Sequence, residues 1–137
     1  MLDFSSLNWL AIVAVAVLGF VIGGLYYSPL LCANAWMREL GKKKEDFAGK
    51  SASFPFVLAF VTALVTAITI SVLVHSLGID TLAGGAGLGL LCGVGFIAAS
   101  TFSDFAFCQF STKLAAIHVG YRLIYCVLMG AILAVWR

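Results

Sequence analysis

Residues 114–136 read LAAIHVGYRLIYCVLMGAILAVW, an apolar run interrupted by one histidine, His118, and one arginine, Arg122. A helix needs ~20 mostly apolar residues to cross ~30 Å of hydrocarbon at 1.5 Å per residue. This run is long enough, and three others match it. Residues 9–27 and 54–77 are apolar throughout except for hydroxyls and His75, and the glycine-rich run that opens at Leu82 carries no charge until Asp104. Open sheets cannot satisfy their backbone in lipid, so each run is predicted to be a helix. The reading is an all-α integral membrane protein. It is a single domain over residues 1–137, a bundle of four transmembrane helices at about 9–27, 54–77, 82–104 and 114–136.

Composition agrees. Of 137 residues, 63% are hydrophobic, and eight basic and six acidic residues make only 10% charged; mean hydropathy is +1.11. Soluble domains carry about 25% charge. A soluble enzyme, a nucleic-acid binder and a disordered chain are therefore excluded. The first run lacks preceding Lys or Arg and a small-residue cleavage site, so it reads as a retained span rather than a signal peptide.

The basic residues set the expected orientation. Arg38, Lys42, Lys43, Lys44 and Lys50 lie between the first two spans and Lys113 in the last connection, against Arg137 alone on the other side. By the positive-inside rule the 28–53 loop is cytoplasmic and both termini are periplasmic. Within that loop Ser28 can cap, Pro29 suits a first helical position and Gly41 a stop. Leu30, Ala33, Met37 and Leu40 recur between them, which predicts a short interfacial amphipathic helix over 29–40. Lys42, Lys43 and Lys44 would then meet anionic headgroups of the bilayer. Trp9, Tyr26, Tyr27, Trp36 and Trp136 are the expected interface anchors.

Helices in lipid associate through close packing, which small residues four apart permit. Gly19 and Gly23, then Ala59, Ala63 and Ala67, then Gly85, Gly89 and Gly93 form such stripes on the first three spans. They either seal the monomer or face a partner, as a homo-oligomer or a subunit of a membrane complex.

Arg122 is the residue that most needs an explanation, since a charge at mid-membrane costs ~2.5–3.5 kcal/mol on insertion scales. Asp104 is the acid best placed to pair with it. His118 and Tyr125 flank Arg122 at i−4 and i+3, with Tyr121 alongside, which makes a polar stripe suited either to an anion, a polar substrate or a proton, or to a closed hydrogen-bond network. No metal or other cofactor is expected: His75 and His118 fall near opposite faces, and the sequence has no CxxC, carboxylate cluster, Ser–His–Asp set or phosphate loop. Cys92 and Cys126 each fall near mid-span.

The segments Asn8-Trp9, Gly24-Leu25-Tyr26-Tyr27-Ser28-Pro29-Leu30, Ala35-Trp36-Met37, Gly120-Tyr121-Arg122-Leu123 and Met129-Gly130-Ala131-Ile132-Leu133 with Trp136 resemble the domain of unknown function 1761 family. The resemblance implies a small four-helix bacterial membrane protein and no activity. It departs from the family's pattern at Tyr26, where tryptophan is usual, at His118, where asparagine is usual, and at Arg122, where histidine is usual. The expected function is that of a non-enzymatic structural or accessory protein of the bacterial inner membrane, associating through its small-residue faces. The alternative is an oligomeric transporter or channel with a polar or anion site around Arg122.

Overall fold

The computed structural model describes Leu2 and residues 4–136; Arg137 lies outside the described residues. The described chain is all helical. The helices are α1 (Trp9–Tyr26), α2 (Ala33–Glu39), α3 (Ser53–Ser76), α4 (Leu82–Cys92), α5 (Ala99–Phe107) and α6 (Thr112–Val135), with a 3₁₀ turn at Lys44–Phe47. A π-helical segment, Gly93–Ala98, joins α4 to α5, so Leu82–Phe107 is one continuous rod. That rod, α1, α3 and α6 are each long and apolar enough to cross a membrane.

Small side chains are inside and large apolar ones outside, the arrangement that suits lipid. Ala11, Ile12, Val15 and Ala16 of α1 meet Ala63, Ala67, Ile70 and Val74 of α3 and Cys126, Met129, Leu133 and Ala134 of α6. Leu10, Val21, Val57, Leu91 and Phe96 face outward.

The hub is α6, which packs against α1, α3 and α4. A methyl group added at Gly85 or Gly89 would overlap the backbone carbonyls of Gly130 and Cys126, and one at Gly130 would overlap that of Gly85. The two backbones therefore touch, a geometry suited to weak Cα–H···O contacts. Gly93 faces Leu123. On the other side of α6, Gly19 faces Met129 and Tyr125, and Gly23 faces Tyr121. Of the two uses open to the glycine stripes, packing within the chain is the one these contacts make. The stripe that receives Gly85 and Gly89 is Cys126, Gly130 and Ala134, also four apart.

The interfacial helix is shorter than the expected 29–40. Ser28 to Cys32 form a turn, with Leu31 and Ala33 N–H both donating to the Ser28 carbonyl and Cys32 N–H to that of Tyr26. Pro29 sits within this turn, so α2 starts only at Ala33, without a side-chain cap. At its end Gly41, at φ +66°, takes the left-handed conformation. Its N–H bonds the Arg38 carbonyl, and Lys42 N–H bonds that of Met37. That is the Schellman pattern.

Gly89→Ala should lower the unfolding free energy by about 1–3 kcal/mol, because a backbone must move to admit the methyl. Gly87→Ala, with nothing within 4 Å of the added carbon, should instead raise stability by up to about 1 kcal/mol, since alanine is the better helix former. Thermal unfolding of both variants in one detergent checks the contrast.

Candidate functional site

The site follows from how α6 is turned. At about 100° per residue, Cys126 and Gly130 face α4 while Tyr121 and Tyr125 face α1, and Arg122 lies between, toward α3. Across from it, at the end bearing the 28–53 loop, α1 presents Gly23 and Gly24 and α3 presents Pro55, Phe56 and Ala59. None of these fills the space. The result is a half-open cavity of about 580 Å³, walled also by Phe20, Tyr27, Trp36, His118 and Tyr121.

Interlocking aromatic rings hold the cavity in shape. Tyr27 Oη lies 3.3 Å from His118 Nδ1, and its ring meets Trp36 and Tyr121 at 5.8 and 5.7 Å. Tyr121 Oη donates to the Gly19 carbonyl at 2.9 Å, and Tyr26 places its hydroxyl where Gly120 has no side chain. Trp36 stacks on Phe47 at 5.6 Å, over which lies Lys42 Nζ. The far end of α2 is tied down where Ser111 Oγ donates to Glu39 at 2.5 Å; Ser111 also caps α6 by accepting from Leu114 N–H. Toward the middle of the bundle, Phe20 lies edge-to-face against Phe56 and Phe60.

Among the described residues no carboxylate pairs with Arg122. Its charge acts instead on neutral groups: Tyr27, Tyr121, Tyr125 and His118. Beside it, the indole N–H of Trp36 is buried with no acceptor in the protein, as is the hydroxyl of Ser28. A cation lining the recess without a carboxylate partner favours a negative ligand.

The anticipated Arg122–Asp104 pair is absent. Gly85, Gly89 and Gly93 lie against Gly130, Cys126 and Leu123, so Arg122 stands level with Gly93, and Asp104, eleven residues on, is roughly 16 Å further along the axis. The π segment adds one residue to a turn, so the buried position after Gly93 is Ala98, five residues on. The register then carries Phe105 to His118, with ring centroids 5.2 Å apart, and leaves Asp104 exposed. Of the expected polar stripe, His118, Tyr121 and Arg122 line the cavity, whereas Tyr125 is buried behind it. Tyr27 and Trp36, read as anchors, are cavity walls, with Tyr26 behind them. Trp9 and Trp136 are partly exposed at the other end, and Lys42, Lys43 and Lys44 are exposed.

Phe20, Gly24, Pro55 and Phe56 were not singled out in the sequence. The usable signal was a pair of side-chain-free positions, Gly23-Gly24, one turn before a cluster of tyrosines. No group of three or more metal-ligating side chains occurs among the described residues. His75 Nδ1 is engaged with the Ser71 carbonyl at 2.8 Å. Cys92 and Cys126, both free thiols, line a smaller cavity of about 180 Å³ with Thr66 and Ile97.

Residues 10–134, nearly the whole chain, match the family described as "Protein of unknown function (DUF1761)", and the chain belongs to that family. No curated protein and no solved structure matches it.

Tyr121→Phe removes only the bond to the Gly19 carbonyl and keeps the ring packing. It should cost about 0.5–1.5 kcal/mol of stability, read from thermal unfolding beside the parent protein.

Proposed function

We propose that this member of the family is a non-enzymatic, multi-pass membrane protein that binds an anionic ligand in the Arg122 cavity. The observation that carries the reading is an arginine facing a recess of about 580 Å³ with no carboxylate partner among the described residues. A structural arginine in a membrane helix is ordinarily neutralised by an acid or by backbone carbonyls. Here the neighbours are tyrosines and a histidine, which orient and hydrogen-bond but do not cancel the charge. Binding is supported over conduction by a single chain, because the cavity lies at one end of the bundle and the core beyond it is filled by Ile12, Ile70, Met129 and Leu133. A structural-subunit role finds less support, since the glycine faces that would serve it are buried against α6.

Thermal unfolding in a non-ionic detergent tests the reading. At matched ionic strength, replacing chloride by inorganic phosphate should raise Tm by a few degrees, the effect of about 1.4 kcal/mol of linkage at tenfold over Kd. The shift should vanish in Arg122→Gln. An equal shift in parent and variant would place the anion elsewhere and remove the reading.

A further inference from the structure

We infer that the ligand is an anionic amphiphile: one carboxylate or phosphate group seated at Arg122, with an acyl chain leaving sideways over Gly24. The inference rests on the anion-binding reading above and adds the ligand's apolar part.

Size makes the first argument. The cavity of about 580 Å³ equals about 19 water volumes at ~30 Å³ each. That is several times the room a carboxylate or phosphate group needs. Cavities of roughly 300–1,000 Å³ accommodate ligands far larger than a bare ion.

Wall chemistry makes the second. The polar side chains of the wall, Arg122, His118, Tyr121 and Tyr27, come from α6 and the end of α1. The opposite wall, Phe20, Pro55 and Phe56, has no side-chain polar atom. A hydrated ion would leave that wall against water, and a wholly apolar ligand would leave Arg122 unanswered. A molecule with one charged end and one hydrocarbon end satisfies both sides.

The exit makes the third. Gly24 is exposed and has nothing within 4 Å of the position a Cβ would take. Beside it Val21 and Phe56 are exposed, at 51% and 58%. The opening thus leads onto the outward apolar faces of α1 and α3, the surface a membrane's own acyl chains would cover. Deeper in the bundle, by contrast, the core is filled, by Ile12, Ile70 and Met129 among others. A chain entering from the lipid meets the cavity without crossing the bundle.

Tryptophan fluorescence provides the test. In the full chain carrying Trp9→Phe and Trp136→Phe, in phosphatidylcholine nanodiscs, Trp36 is the sole tryptophan reporter. Brominated oleate, brominated phosphatidylglycerol and brominated phosphatidylcholine are titrated in turn. At least one anionic amphiphile should quench Trp36 half-maximally at a mole fraction about tenfold lower than phosphatidylcholine, about 1.4 kcal/mol of preference. Whichever of the two does so identifies the source as a free fatty acid or a resident phospholipid. Arg122→Gln should abolish the preference, and so should Gly24→Leu, which fills the exit while leaving Arg122 in place. Equal quenching by all three lipids in the unsubstituted cavity overturns the inference. If phosphate still raises Tm through Arg122 in that case, the anion site stands without an acyl chain. If it does not, the site itself falls.

Discussion

Backbone contact between α4 and α6, made at Gly85, Gly89 and Gly130, is the constraint on which the rest of the structure depends. Lipid gives helices no hydrophobic reason to associate, so close approach must supply the attraction. Glycines on α4 and again on α1 draw both helices onto α6. At the loop end the bulk changes. Tyr26, Tyr27 and Tyr121 interleave there and prop α1 against α6, while Gly23 and Gly24 leave the facing wall bare. One end of the bundle is tight for want of side chains. The other is propped open by rings, and the cavity is what remains between them.

The π segment has the second large consequence. Its extra residue turns α5 so that Phe105 meets His118 while Asp104 faces outward. Asp104 is in any case out of Arg122's reach, because Arg122 stands level with Gly93 and Asp104 lies roughly 16 Å further along the rod. π-helical turns are often found at functional sites. In this chain the turn sets an aromatic ring, Phe105, against His118 beside the cavity.

The four spans were plain in the sequence, because apolar length is a direct consequence of bilayer thickness. The glycine stripes were visible as well, but their partner was not. Spacing identifies a flat helix face without saying whether its neighbour is in the same chain, and the Cys126–Gly130–Ala134 stripe that answers it is disguised by a thiol and by larger residues around it. His118, Tyr121 and Arg122 were recognisable as a polar stripe. The cavity was not, since it is formed by what Gly23, Gly24 and Ala59 lack. Nor was the outward turn of Asp104 readable, because Gly93–Ala98 carries no residue that announces a π turn. Pro29 misled for a different reason: it suits a first helical turn and a tight reverse turn equally, and the hydrogen bonds to the Ser28 carbonyl decide for the turn.

The central claim is that Arg122 confers an uncompensated positive charge on an accessible cavity. Cysteine modification at Ala59, a wall residue, addresses it most directly in a chain with Cys32, Cys92, Cys108 and Cys126 replaced by alanine. A negatively charged methanethiosulfonate should modify Ala59→Cys faster than a positively charged one of similar size, and the preference should disappear when Arg122→Gln is added. Lack of reaction with either reagent, or the same order of rates with and without Arg122, would contradict the account.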